Sequence, residues 1–286
     1  MKTKTYIITG ATSGIGEALI KHLAQDNIIF AGYRDKSKLE KLTEISTNIY
    51  PFYIDYAKPE TIKLAADYLK SKCTKVDTLV NIAGCVIAGP LEKIEMSEIR
   101  RQFDVNVFGH IEFTQNLMEI LENSKIINVS SMASFGVFPF ISPYCASKRC
   151  LDMFFNSLLI ENKKNLQIVS IKPGVIATPL WGKSVKENSK YMNNCSGYEK
   201  EMDFMISNAK RNELKGLSVN KVVDVILKVD AMKKPKLSYT VGKDAFAAKI
   251  LSKLPQSIIN KLVKFGLNAR LKKAKKKVCR FENGKH

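Results

Sequence analysis

The chain has 286 residues, 45% of them hydrophobic, and a formal net charge of +19. That length and apolar content suit one large or two small globular domains with a sizeable core, and they exclude a disordered or fibrous chain. Six scattered cysteines without a Cys-x-x-Cys pair, and only three histidines, argue against a disulfide framework and against a metal site.

In chain order, Met1-Lys-Thr-Lys-Thr leads directly into a short apolar strand, Tyr6–Thr9, with no signal-peptide pattern. A glycine-rich turn, Thr9-Gly10-Ala11-Thr12-Ser13-Gly14-Ile15-Gly16, opens a helix through Glu17–Gln25. Further strands are predicted at Ile28–Tyr33, Ile49–Ile54, Thr78–Asn81, Lys125–Val129, Gln167–Ile171 and Leu237–Val241. Helices are predicted at Ser37–Ile45, Pro59–Lys72, Ser97–Leu121, Tyr144–Glu161 and Val219–Asp230. Pro59 suits a first helical turn and Ser97 an N-cap. Short apolar strands alternating with helices predict βαβ units, hence a parallel sheet of about seven strands with helices on both faces, the doubly wound Rossmann-type α/β fold. Residues 1–242 form one catalytic domain in this reading. Residues 179–215 lack strand periodicity and read as an insertion over the sheet edge. Residues 243–286 read as a basic tail.

The chemistry is concentrated in three segments. Tyr144 and Lys148 stand four apart on one helix face. A phenol with an ordinary pKa of roughly 10 is a poor proton donor and acceptor at neutral pH, and a neighbouring ammonium favours its ionised form. Ser131, thirteen residues upstream of Tyr144, is placed to donate a hydrogen bond to a substrate oxygen. The glycine turn between strand and helix suits a dinucleotide pyrophosphate. Proton and hydride together are carbonyl/alcohol redox chemistry. At the end of the second strand, Arg34 lies eighteen residues beyond Gly16, with Lys36, Lys38 and Ser13 as further partners for a 2′-phosphate. Asp35 comes one residue late for a ribose and is expected to point elsewhere. The expected cofactor is NADP(H), with NAD(H) the second choice.

These segments resemble the short-chain dehydrogenase/reductase family over residues 3–242. The Gly-x-x-x-Gly-x-Gly spacing differs from that of the extended branch, which includes sugar epimerases. The resemblance implies further site residues: Asp55 at the adenine, Asn81, Ala83 and Gly84 beside the cofactor (with Ile82 where the family has Asn), and Pro173, Gly174 and Thr178 closing on the nicotinamide. It implies that Lys148 holds the nicotinamide ribose, and that Asn106 positions a water relaying protons to Lys148. The implied activity is interconversion of a carbonyl and an alcohol. The alternative is a catalytically weak cofactor-binding sensor or scaffold, which would have no need of Ser131, Tyr144 and Lys148 together.

Aromatics and methionines in 179–215 and before Tyr144, among them Trp181 and Phe138, predict a broad apolar pocket for a lipophilic ketone, aldehyde or alcohol. In the tail, Ile258, Ile259, Leu262 and Val263 are expected to share a helix face over Gln256–Leu267, ahead of the lysine run Lys272–Lys277. Residues 249–286 alone carry a net charge of +11. Contact with an anionic membrane, a solvated tail, and a helix docked on the protein all fit this pattern. Nucleic acid ranks last, since no aromatics interleave the lysines. No apolar run approaches the roughly 20 residues of a membrane span, so a cytoplasmic protein, at most peripheral at a membrane, is expected. Self-association through the long helices is left open.

Overall fold

Apolar residues alternate along each central strand, and each alternate set meets its own layer of helices. The structure, a computed structural model, describes residues 3–193 and 195–282, with the side chains of the last helix described as far as Lys272. The strands are β1 (Thr5–Ile8), β2 (Ile28–Tyr33), β3 (Ile49–Tyr53), β4 (Thr78–Asn81), β5 (Lys125–Val129), β6 (Gln167–Pro173) and β7 (Ser238–Val241). They form one parallel sheet in the order β3-β2-β1-β4-β5-β6-β7. The helices of the first half are α1 (Gly14–Leu23), α2 (Leu39–Thr43), α3 (Pro59–Lys72), α4 (Met96–Phe103), α5 (Gly109–Asn116) and α6 (Ser142–Glu161). Those of the second half are α7 (Leu180–Glu187), α8 (Ser189–Met192), α9 (Glu199–Lys215), α10 (Val219–Ala231), α11 (Lys243–Leu251) and α12 (Gln256–Glu282).

Ile8, Val80, Ile127 and Val169 pack with Leu19 and Ile20 of α1 and with Val222 and Ile226 of α10. Their neighbours Ile7, Leu79, Ile126 and Ile168 pack on the other face with α3, α5 and α6, around Phe113 and Phe155. Burial on both faces explains why these strands read as apolar runs. The chain runs outward from β1 to β2 and β3, then returns to β4 on the other side of β1. The crevice at that switch point, at the carboxyl ends of the strands, is where such sheets bind ligands. The opposite end of the sheet is locked by buried polar groups. Asp230 accepts from Lys4 Nζ (2.7 Å), Tyr6 Oη (2.8 Å) and Thr78 Oγ1 (2.5 Å).

Three expectations need correcting. The helix expected over Ser97–Leu121 is broken: α4 passes into a π-helical stretch, Asp104–Phe108, before α5, and Glu95 rather than Ser97 precedes the first turn. The cause is tertiary. Asn106 is bonded to the backbone of Cys85. Gly109 lies so close to Tyr56 that an added Cβ would stand 2.5 Å from the Tyr56 Cβ. A widened turn satisfies both contacts.

The insertion, which lacks strand periodicity, is built of three helices that meet the loop after β4. Buried Asn188 accepts from Ala88 N (3.0 Å) and donates to Val86 O (2.8 Å).

Finally, α11 belongs to the main body. Ala245 is fully buried, and the Asp244 carboxylate accepts from Val175 N (2.7 Å). The amphipathic face expected in the tail is split, with Ile259 buried and Ile258 and Leu262 exposed. The side chains of Lys273–Lys277 lie outside the described residues.

Candidate active site

The glycine turn is shaped by close backbone approach. Gly10 has φ 66°, and an added Cβ would lie 3.0 Å from Ala83 N; a Cβ on Gly16 would meet Gly10 O at 2.2 Å. Only glycine fits such positions without displacing backbone. A Cβ on Gly14 would stand 3.4 Å from Thr178 Cγ2, so the turn also borders the Pro173–Thr178 segment. Thr9 is buried, and its Oγ1 accepts from Ile82 N (3.1 Å). The segments Thr9–Gly16, Asn81–Gly84 and Pro173–Thr178 therefore converge at the mouth of the crevice. Ser13 precedes α1 without a side-chain capping bond, and Ile15 packs on the core beneath. This cradle, floored by glycines and ended by a helix N-terminus, fits a dinucleotide.

Arg34 is exposed directly after β2. Asp35 is turned away into its own loop, accepting from Ser37 N (3.1 Å) and Ser37 Oγ (2.7 Å). Asp55 likewise accepts from Ala57 N (3.1 Å) at the end of β3. Asn81 spends its amide on Asn128 Oδ1 (2.9 Å), tying β4 to β5.

The groups expected to react gather at the ends of β4 and β5 and on α6. Ser131 caps the short turn after β5: its Oγ accepts from Ala133 N (3.1 Å), which leaves the hydroxyl hydrogen free to donate. Burial pushes the Tyr144 phenol up to about 12, and a hydrogen bond with Ser131 pulls the other way. Burial pushes Lys148 down to about 8, opposed by the carboxylate of Asp152. Lys148 Nζ donates to Val129 O (3.0 Å) and lies 5.9 Å from the Tyr144 ring centroid. The activated phenol expected from the sequence is therefore not the resting state of the protein alone, because desolvation outweighs the Ser131 hydrogen bond.

Asn106 donates to Cys85 O (2.9 Å) and Ser147 Oγ (3.0 Å) and accepts from Cys85 N (2.9 Å). Three of its four hydrogen-bonding positions are thus taken by protein. Gly84 stands between Asn106 and Lys148, where an added Cβ would lie 3.2 Å from Asn106 Oδ1 and 3.6 Å from Lys148 Nζ. His110 is fully buried and held neutral, pushed down to about 3 by desolvation, with Nε2 on Ala83 O at 2.9 Å.

Several supporting residues have no motif. Gln102 accepts from Ile87 N (3.2 Å) and donates to Cys85 O (3.0 Å), so with Asn106 and Asn188 it pins the whole loop from Cys85 to Ala88. Asp152, one turn beyond Lys148, forms a buried ion pair with Lys172 (2.7 Å) and accepts from Ser170 Oγ (3.0 Å). Lys172 Nζ in turn sits 4.7 Å from the centroid of Phe135, in the turn carrying Ser131. A charged residue inside an apolar strand, directly before Pro173, was the available signal. Buried amides such as Gln102 look like surface amides in sequence.

Of the apolar candidates, Phe138 is half-buried in the loop before α6. Trp181 donates its indole N–H to Ile176 O (2.7 Å), bracing the Pro173–Thr178 segment. Met192 and Met202 form a separate core with Ala88, against which Phe140 and Tyr198 pack. Tyr191 is buried and accepts from Glu95 N (3.1 Å). Those packed residues help hold the insertion together.

Comparison with known proteins places this arrangement. Residues 4–189 match the family model described as short chain dehydrogenase. An uncharacterized oxidoreductase, YusZ of Bacillus subtilis (strain 168), is 31% identical over 254 residues, covering 85% of this chain and 90% of that protein. An NADPH-dependent 3-dehydrocapnine reductase of Ornithobacterium rhinotracheale is 30% identical, covering 82% of this chain and 87% of its own. The crystal structure of a short-chain dehydrogenase from Streptomyces avermitilis shares the fold with a TM-score of 0.75 at 21% identity, over 94% of this chain and 98% of that one. The chain belongs to the short-chain dehydrogenase family.

Proposed function

We propose that the protein is an NADP(H)-dependent oxidoreductase that reduces a lipophilic ketone or aldehyde to its alcohol and runs the reverse oxidation. The observation that carries the reading is the convergence of Ser131, Tyr144 and Lys148 at the mouth of a crevice floored by Gly10, Gly16 and Gly84. Bound NADPH supplies the hydride. Tyr144 gives its phenolic proton to the substrate oxygen, while the Ser131 hydroxyl donates to the same oxygen and stabilises its developing charge. Lys148 has two N–H donors beyond its bond to Val129 O, enough to hold a ribose and to stabilise the phenolate as the proton leaves. Exposed Arg34, with Asp35 turned aside, supports the 2′-phosphate form of the cofactor, as does the NADPH dependence in the name of the Ornithobacterium relative. The reading of a lipophilic substrate rests on exposed Val137 and Leu180 beside the site segments, with half-buried Phe138.

NADPH consumption across steroid, retinoid, acyl-chain and small polar carbonyls tests the proposal. Turnover is expected with hydrophobic carbonyls, and Tyr144→Phe should lower kcat/KM by about 10³-fold or more while NADPH still binds. Turnover confined to small sugars would overturn the substrate class. Retained activity in Tyr144→Phe would overturn the acid/base assignment.

A further inference from the structure

We propose that α11 and the first half of α12 dock the protein on an anionic lipid surface. The inference is independent of the substrate. Between Asp244 and Glu282 the chain has no Asp or Glu and eleven Lys or Arg. α12 presents three distinct faces along its described part. Ile259, at 9% exposure, and half-buried Val263 are turned to the body, where α12 meets α9. Ile258, Leu262 and Phe265 follow the i, i+4, i+7 spacing of a single stripe, and all three are exposed, Phe265 at 75%. Lys261, Lys264 and Lys272 flank that stripe on the side away from the body, and all are exposed. α11 carries a similar pattern, with exposed Phe246 and Ile250 beside half-buried Lys249 and, just past the end of the helix, exposed Lys253.

A solvated tail has no use for an uncovered aromatic stripe, and an ordinary protein partner would be expected to bring acids for some of the cations and cover the rest. A lipid bilayer bearing negative headgroups meets both features at once: apolar side chains enter the headgroup boundary while lysines remain at the phosphates. No helix among the described residues is long and apolar enough to cross a membrane, so the contact is a shallow one. Because α12 rests on α9, the surface lies beside the helical insertion over the active-site loop.

Co-sedimentation of the full chain with phosphatidylcholine vesicles, with and without about one-third phosphatidylglycerol, tests the proposal. Partitioning should be about tenfold or more higher on the anionic vesicles, and should fall as salt is raised. The pair Leu262→Ser with Phe265→Ser should lose most of that binding at unchanged charge. Lys261→Glu with Lys264→Glu should lose it at unchanged apolarity. Every replaced side chain is exposed, so thermal midpoints should stay at the wild-type value. Equal partitioning on both vesicles would overturn the proposal. So would anionic binding that the serine pair leaves intact, which marks diffuse attraction to any polyanion, nucleic acid included. A concentration-dependent dimer abolished by the serine pair, with no vesicle binding, would assign the stripe to a second copy of the chain instead.

Discussion

Lys125 and Lys148 are both buried lysines, at 8% and 4% exposure, on opposite ends of the same sheet. Lys125 spends all three of its donors on the carbonyl end of α10, at Val229 O (2.9 Å), Asp230 O (2.7 Å) and Met232 O (2.9 Å). A cation at a helix C-terminus with every hydrogen bond made is a structural clamp. Lys148 makes one such bond, to Val129 O, and faces the crevice with two donors to spare. Burial depresses both, but only Lys148 is short of partners to offset it. Burial alone therefore does not mark a functional lysine. Unfilled hydrogen-bonding capacity beside a crevice does.

Substitutions can break this comparison. The largest effect is expected from Asp152→Asn, which leaves Lys172 buried without its counter-ion. A loss of about 3–5 kcal/mol in denaturant unfolding is expected. The same change removes the carboxylate that holds Lys148 up, so the alkaline limb of the rate profile should move to lower pH. An unmoved limb would show that Asp152 acts on the fold alone.

Lys148→Met should abolish turnover and yet stabilise the protein at neutral pH. Its folded value of about 8 lies below the usual 10.5. Below pH 8 the folded state bears the full cost of the buried charge, about 3 kcal/mol. As pH rises toward 10.5 the folded state releases its proton first, wild-type stability climbs, and the advantage of the Met variant should vanish.

Lys125→Met is the counterpart. It should cost about 2 kcal/mol of stability through lost charge-assisted bonds at the helix end, with kcat unchanged. A kcat loss there would erase the distinction between the two lysines. The smallest effect is expected from Arg34→Ala: about a tenfold rise in KM for NADPH with KM for NADH unmoved, as suits one charge-assisted contact at an exposed site.

Much of the frame was legible in the residues. The bounds of β2, β4, β5 and α3 coincide with those predicted, because strands buried on both faces are apolar runs and Pro59 marks its helix start. The convergence of the glycine turn, the Asn81–Gly84 segment and Thr178 was implied by the resemblance to the family. The insertion was harder to read, because its aromatics and methionines are the same residues whether they line a pocket or fill a small core of their own. Met192 and Met202 turned out to do the latter, and Phe140 takes φ 67° where the loop before α6 meets Gly89 N.

The residues by themselves determined the parallel sheet, the dinucleotide turn and the pairing of Tyr144 with Lys148, since each depends on local spacing and on which side chains can fill a two-sided core. The tertiary structure alone decided the state of those groups. The resting phenol is held up by desolvation, the π turn at Asp104–Phe108 answers to Tyr56 and Cys85, and one amphipathic face of the last helix is divided between protein and solvent. Each of these is set by what approaches from a distant part of the chain, and neither helical periodicity nor side-chain chemistry carries that information.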